Sequence, residues 1–145
     1  MKVSADGDNA SPAIDWKTGP EGTRCFVVLM EDPDAAQPKP FVHWVVYDIP
    51  GNVTGLREGL PTEPILQDPK GVKQGTNSAG RTGYFGPKPP VGDPAHSYHF
   101  QVFALDVSSL DLDPGAPRDE VLSAMKGHVL ASGRLVGTFE RPSVK

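Results

Sequence analysis

The chain has 145 residues, of which 37% are hydrophobic and 22% are charged, and this length fits one domain that buries about two-thirds of its extended-chain surface. Its formal charge is −4, with 14 basic and 18 acidic residues mixed along the length, which argues against a nucleic-acid surface. No apolar run approaches the roughly 20 residues of a membrane span, and the first residues lack the apolar region of a secretory signal. We therefore expect one cytoplasmic domain over residues 1–145, without a cofactor.

Four segments have the composition of β-strands. Arg24 to Glu31 is an apolar run that stops at a DPDA turn, and Phe41 to Ile49 is a second that ends at PGN. Ser97 to Asp106 alternates, with residues 98, 100, 102 and 104 on one face, and Leu135 to Glu140 predicts a last strand. Because about nine residues join the first two strands, we expect these to pair antiparallel. The single cysteine, Cys25, is expected to be a small buried hydrophobe.

One segment has helical character. Pro117 to Ala131 begins with a proline and two acidic residues, which favour a first helical turn, and Gly127 interrupts it. Its apolar residues follow helical spacing at Val121, Leu122, Met125 and Val129. The loop from Gly51 to Pro94 lacks strong periodicity and is too long for a passive connection. The sequence thus predicts a mainly β, antiparallel domain with one short helical element in its C-terminal half.

The polar residues that could carry chemistry stand at strand ends. Antiparallel pairing of the first two strands would bring Asp32 close to His43, and a carboxylate beside an imidazole stabilises the cationic ring. His96 precedes the third strand and follows a stretch rich in proline and glycine, within residues 83–98. A hydrolase that uses a histidine as general base beside Asp32 stays open on these residues. Each of them also fits an ordinary structural role at the end of a strand.

Three other motifs are set aside. The sequence has no GxSxG nucleophile elbow, and Ser78 has no identifiable catalytic partner. The glycine-rich stretch GTNSAGRTGYFG lacks the Lys-Ser/Thr ending of a phosphate-binding P-loop. Asp32, His43 and His96 are the residue types of a two-histidine, one-carboxylate metal triad, but no HxH or HxxxH spacing supports it, so we predict no metal.

Three segments together resemble the phosphatidylethanolamine-binding protein (PEBP) family, which includes the Raf kinase inhibitor protein. They read EDPDAAQPKPFVHWVVYDIP, GTNSAGRTGYFGPKPPVGDPAHSYHFQVFALD and MKGHVLASGRLVGTFER. The most specific blocks are DPDA followed by HW, then GPxPP followed by HxY, and the resemblance runs from DGDNASPAIDW to Arg141. It implies a β-sandwich of antiparallel sheets with a few peripheral helices. It also implies a small cavity at one end that binds anions such as phosphate, acetate or phosphorylethanolamine.

The resemblance places seven residues at that cavity, namely Asp32, His43, Tyr84, Gly86, Pro87, His96 and Tyr98. Imidazole N–H groups, the Tyr98 hydroxyl and the Gly86 backbone N–H are donors suited to a small oxyanion. In this interpretation Asp32 holds a histidine in its donor form. Cis peptide bonds are expected among Asp32–Pro33, Lys88–Pro89 and Pro89–Pro90.

Two positions depart from the family pattern. Ser97 stands where many members have arginine, which removes a cation from the rim of the cavity, and Lys88 stands where bacterial members often have cysteine. Lys88 could restore positive charge nearby. Relatives usually have about twenty residues before the segment that starts at Asp6, which leaves open whether an edge strand is missing or the start lies upstream. Mammalian members continue beyond the position of Lys145 into a C-terminal helix, so we expect a bacterial or archaeal member and do not transfer kinase inhibition.

The sequence therefore predicts a non-catalytic binding protein for a small anionic ligand. Inhibition of a protease or kinase through protein–protein contact is one alternative, and hydrolysis by a His/Asp pair is the other. The resemblance makes a homodimer reasonable, although no residue of the sequence specifies its interface.

Overall fold

A six-stranded antiparallel sheet is the largest element of the structure. The structure is a computed structural model that describes residues 11, 13–32, 41–85 and 96–139. Within these ranges the side chains of residues 32, 96–99 and 135–139 are not described. The elements are β1 Ile14–Asp15, β2 Cys25–Asp32, β3 Phe41–Pro50, β4 Gly55–Leu56, β5 Ile65–Gln67, β6 Lys70–Gln74, β7 His96–Leu105, α1 Arg118–Met125 and β8 Val129–Phe139. The strand order in the main sheet is β5-β6-β3-β2-β7-β8, and β1 pairs with β4 in a two-stranded sheet. The predicted class, mainly antiparallel β with one short helix, is confirmed.

Strand β2 lies in the middle of the main sheet and is buried on both faces, as its unbroken apolar sequence predicts. On one face Phe26 and Met30 pack in a core cluster with Trp44 and Phe100. On the other face residues 25, 27 and 29 pack in a second cluster that includes Val121 of α1. Cys25 is fully buried there, as expected. The antiparallel pairing of β2 with β3 is also confirmed.

The predicted helix is half as long as its apolar pattern indicates. Helix α1 ends at Met125, and Gly127 follows with a φ of 82°, a left-handed conformation that stops a helix readily. Val121 and Met125 are buried as predicted, but Val129 is 45% exposed and begins β8. The prediction for residues 126–131 is therefore wrong, because the glycine turn redirects the chain into the sheet.

Strand β8 is longer than predicted and the long loop is more ordered. Its eleven residues start at Val129 instead of Leu135, and it pairs antiparallel with the whole of β7. Short strands β4, β5 and β6 lie within residues 51–94, and a cis peptide bond joins Asp68 to Pro69. The three expected cis bonds lie outside the described residues. Among the residues that are described, no helix is long and apolar enough to span a bilayer.

Candidate ligand-binding site

The ends of three neighbouring strands meet at one edge of the main sheet. Strand β2 is antiparallel to both β3 and β7, so its last residues face the first residues of the other two. Asp32 is the register partner of Phe41, and Glu31 is the partner of both Val42 and His99. The fold therefore brings the backbones of three predicted site regions, around residues 32, 43 and 96–98, to the same end of the sheet.

A β-bulge at this end sets the direction of His43. The consecutive residues Met30 and Glu31 of β2 are opposite Trp44 and Val42 of β3, so His43 is the extra residue of the bulge. A bulge bends its strand and re-aims the side chain that it carries, and bulges are frequent beside functional sites. Here the bulge lies between a buried tryptophan and the edge of the sheet. It gives His43 a direction that simple strand alternation would not.

The His43 imidazole is buried and its tautomer is fixed by a backbone contact. Its side chain belongs to a residue that is only 5% exposed, and Nδ1 lies 2.5 Å from the Phe85 carbonyl oxygen. A carbonyl oxygen can only accept, so Nδ1 carries the proton. The ring also packs on Phe41, with the two ring centroids 4.8 Å apart. Protonation of the ring, and any contact that it makes with an anion, therefore take place at Nε2.

Residues 75–85 form a loop that holds the start of β3 through three backbone–backbone hydrogen bonds and one from a backbone N–H to a serine hydroxyl. The Phe85 N–H donates to the His43 carbonyl at 3.0 Å, and the Gly75 N–H donates to the Val45 carbonyl at 2.8 Å. The Ser78 N–H donates to the Val42 carbonyl, and the Ser78 hydroxyl accepts from the Val42 N–H. Val42 and His43 are thus bonded to this loop on one side and lie beside β2 on the other.

Asn77 organises that loop from within. It is 4% exposed, its amide donates to the Gly83 carbonyl at 2.9 Å, and its Oδ1 accepts from the N–H groups of Ala79 and Arg81. All three of these hydrogen bonds are to backbone groups of the loop. Asn77 is therefore a positioning residue for His43, through Ser78 and Phe85.

A second polar group supports Trp44, the residue next to the bulge. The Trp44 Nε1–H donates to Gln74 at 2.8 Å, and the buried Gln74 amide donates to the carbonyls of Pro61 and Glu63. Tyr84 packs edge-on against Trp44 with a centroid distance of 5.6 Å and belongs to the core cluster. The aromatic pair of Trp44 and Tyr84 therefore forms a rigid support next to His43.

A guanidinium group stands at the outer edge of the aromatic residues around His43. Arg81 lies over the Phe85 ring, with Cζ 6.0 Å from the centroid, and Phe85 in turn contacts the half-buried Phe41 ring. Arg81 is exposed, and among the described residues it has no acidic partner. A cation stacked on an aromatic face keeps its N–H groups available to an anion.

An ion pair ties helix α1 to the same end of the sheet. Glu31, the residue before Asp32, is buried and pairs with Arg118 at the start of α1. Arg118 also lies 3.1 Å from the Asp119 carboxylate. Because Arg118 compensates Glu31, this buried carboxylate does not add an unpaired negative charge behind the site.

The structure accounts for the predicted site residues to different extents. It places the backbones of Asp32, His96 and Tyr98 at the same sheet edge as His43, and their side chains lie outside the description. Tyr84 is a core residue beside Trp44, and its contact with a ligand stays a prediction. Gly86, Pro87 and Lys88 lie outside the described residues.

Sequence reasoning missed three residues that organise the site, Asn77, Arg81 and Phe85. As a phosphate-binding loop, the glycine-rich stretch lacks the final residues. Its Asn-Ser-x-Gly composition is typical of an Asx-stabilised turn, and this signal was available from the sequence. Among the described side chains, no group of three His, Cys, Asp or Glu residues could hold a metal ion. The side chains of Asp32 and His96 are not among them, so this finding does not test the triad of Asp32, His43 and His96.

These features define a class: an antiparallel β domain with a buried, backbone-anchored histidine where three strand ends meet. Comparison with known proteins identifies the family. The family model for phosphatidylethanolamine-binding protein matches residues 2–140. A UPF0098 protein of Aquifex aeolicus is 48% identical over 138 residues, which cover 95% of this chain and 78% of that protein. The UPF0098 protein YbhB of Escherichia coli is 40% identical over 134 residues, covering 92% of this chain and 84% of that one.

Two crystal structures have the same fold. YbcL of Escherichia coli, described as a member of the mammalian PEBP family, superposes with a TM-score of 0.85 at 33% identity and covers 94% of this chain and 84% of its own. CT736 of Chlamydia trachomatis, described as a PEBP homologue, gives a TM-score of 0.84 at 34% identity, covering 97% and 88%. The chain belongs to the phosphatidylethanolamine-binding protein family.

Proposed function

We propose that the protein is a non-catalytic binding protein for a small oxyanion, of the phosphate or phospholipid-headgroup type, held at the sheet edge around His43. The observation that carries the proposal is the His43 imidazole, which is buried on a β-bulge with Nδ1 bonded to the Phe85 carbonyl. A ring fixed in this way presents Nε2 in one direction. When protonated, Nε2 becomes a charge-assisted donor of the kind that binds phosphate and carboxylate oxygens well.

Two further features support an anion as the ligand. Arg81 adds a fixed positive charge at the rim and has no acidic partner among the described residues. The buried carboxylate of Glu31 is compensated by Arg118, which lowers the repulsion that an anion would meet. The predicted donors His96, Tyr98 and the Gly86 N–H would complete the site. Asp32 would then orient an imidazole, as the sequence predicts.

Isothermal titration with inorganic phosphate, phosphorylethanolamine and sodium acetate tests this function. We expect wild-type protein to bind at least one of them with a Kd of millimolar or below, and we expect His43→Ala to lower the affinity about tenfold or more, the size of one lost charge-assisted hydrogen bond. The matched control is His128→Ala. His128 pairs with Asp106 at the surface beyond the opposite ends of β2 and β7, so its removal should leave binding unchanged.

Three outcomes decide between the functional candidates. Absence of binding by wild-type protein at millimolar concentrations of all three anions would reject the proposal. Equal loss in both histidine variants would show that the effect is not local. Hydrolysis of a phosphoester panel, abolished by His43→Ala, would favour the His/Asp hydrolase instead. The inhibitor alternative, the homodimer and the cytoplasmic location stay predictions.

A further inference from the structure

A cavity lies on the Phe26 face of the main sheet, away from His43. Its volume is about 280 Å³, and it lies between residues 16–20 on one side and β7 and β8 on the other. Phe26, Val102 and Ala104 form its floor, and residues 131–133 of β8 close it. This cavity is termed the Trp16 groove. Ala104 pairs with Phe26, which lies five positions along β2 from Glu31, or roughly 17 Å at the usual strand rise.

Small residues on the outer strands leave the groove open. In the register of the sheet Ala104 is opposite Ala131, and Val102 is opposite Gly133. A Cβ atom at Gly133 would meet no heavy atom of the described part of the chain within 4 Å, so the position has room for a side chain there. Trp16 forms the opposite wall and packs on Phe26 with a centroid distance of 5.4 Å. The sequence thus places a large aromatic wall beside small residues of β7 and β8, namely Ala104, Ala131 and Gly133.

The indole N–H of Trp16 is a hydrogen-bond donor without an acceptor among the described residues. The Trp16 Nε1 atom is buried and has no hydrogen-bond partner in the described part of the chain, whereas Trp44 Nε1 donates to Gln74 at 2.8 Å. A buried donor without an acceptor is uncommon and calls for an explanation. The next residue, Lys17, lines the groove, is exposed, and has no ion-pair partner among the described residues. One cation therefore borders the apolar space, and the covered, orphaned donor belongs to the indole ring that forms its wall.

We propose that the Trp16 groove binds a small apolar carboxylate, such as a medium-chain fatty acid. The groove has about twice the volume of the ~150 Å³ apolar cavity that holds benzene, which suits an aliphatic body of about eight carbons. The aliphatic body lies over Phe26 and Ala104, and the carboxylate lies toward Lys17 and the indole. Because Nε1 is covered, the Trp16 ring turns slightly to reach the carboxylate, and no existing hydrogen bond opposes that turn. This site is separate from the proposed oxyanion site and does not depend on it.

Nitrogen-15 correlation spectra of the intact protein with sodium octanoate test the proposal. The two tryptophans give two indole N–H resonances, and Trp16→Phe assigns them. We expect octanoate to shift the Trp16 indole resonance in a saturable way at submillimolar to millimolar concentration, with little change at Trp44. Octan-1-ol, which has the same body without the carboxylate, should bind at least threefold more weakly, and Lys17→Gln should remove that difference.

Gly133→Leu is the blocking variant, because its Cβ atom meets no described heavy atom within 4 Å and the rest of its side chain would occupy the groove that Gly133 lines. We expect it to keep its thermal unfolding midpoint and to bind octanoate at least tenfold more weakly. His43→Ala should bind octanoate as wild-type protein does. An unshifted Trp16 resonance at millimolar octanoate would overturn the proposal, and so would undiminished binding by a folded Gly133→Leu protein. A Trp16 resonance that shifts on dilution of the protein alone would also overturn it, since a second copy would then occupy the groove.

Discussion

Replacement of Asn77 with alanine should destabilise the protein by about 3 kcal/mol. The side chain makes three hydrogen bonds inside the loop, to the Gly83 carbonyl and to the N–H groups of Ala79 and Arg81. Each such bond contributes about 1 kcal/mol net, and the partners that remain in part-buried positions would lose their bonds together. The expected loss is a large fraction of the roughly 5–15 kcal/mol that stabilises a domain.

The same substitution should weaken anion binding, because the loop positions His43. The Asn77 loop is bonded to β3 through Ser78 and Phe85, and the Phe85 carbonyl holds the His43 ring. We expect the phosphate affinity of Asn77→Ala to fall about tenfold even where the protein is fully folded. Urea unfolding followed by tryptophan fluorescence measures the stability, and isothermal titration below the unfolding transition measures the affinity.

Two variants make the Asn77 reasoning refutable. Asn77→Asp keeps the acceptor atoms but places a carboxylate against the Gly83 carbonyl, so its stability should also fall. Asn52→Ala removes an exposed asparagine whose side chain makes no hydrogen bond within the described residues, and it should change stability by less than about 0.5 kcal/mol. A loss below about 1 kcal/mol for Asn77→Ala, or unchanged phosphate affinity, would contradict the assigned positioning role.

Three further predictions concern single groups. Isothermal titration should show that Arg81→Gln lowers phosphate affinity about threefold to tenfold at low salt and less at high salt. Arg24→Gln, which removes an arginine at the other end of β2, is the control and should leave phosphate affinity unchanged. Burial raises the pKa of the Cys25 thiol to about 12, so at pH 8 the folded protein should react with a thiol reagent no faster than it unfolds. Burial also raises the pKa of Tyr47, so its contribution to stability is complete below about pH 10 and is lost at higher pH. Urea unfolding free energies should therefore fall less steeply between pH 9.5 and 11 in Tyr47→Phe than in wild-type protein.

The parts of the fold that sequence predicts well are those with an unambiguous periodicity. β2 and β3 start and end within one residue of their predicted bounds, because long apolar runs between turn residues have few other solutions. The end of α1 was misplaced because Val129 has helical spacing from Met125 and also fits the start of a strand. The left-handed conformation of Gly127 ends the helix and lets Val129 start a strand. The sequence alone does not show this, because a glycine within a helical pattern is unfavourable but does not exclude a helix.

The candidate site also has parts that the sequence predicts and parts that it does not. The sequence could predict that Asp32 and His43 lie at one edge, because hairpin pairing of β2 and β3 fixes which strand ends are adjacent. The place of β7 beside β2 does not follow from hairpin pairing, and only the family resemblance indicated that His96 and Tyr98 lie with His43. The sequence could not predict the bulge, since a bulge depends on how β3 matches β2 residue by residue. The hydrogen bond from His43 to Phe85 was also out of reach, because it joins residues 42 positions apart through a loop without periodicity.

The same two features explain how the site can be rigid at the edge of a sheet. A histidine at an ordinary strand end would be exposed and would turn freely, and its charge would then contribute little to the binding of an anion. Here the bulge directs His43, the Phe85 carbonyl fixes its tautomer, and Asn77 fixes the loop that supplies this carbonyl. Preorganised donors of this kind lose little entropy on binding, so affinity should depend on these backbone contacts as strongly as on the number of cations. For this reason Asn77→Ala and Arg81→Gln should differ in their salt dependence, since only the loss of affinity in Arg81→Gln should become smaller as the salt concentration rises.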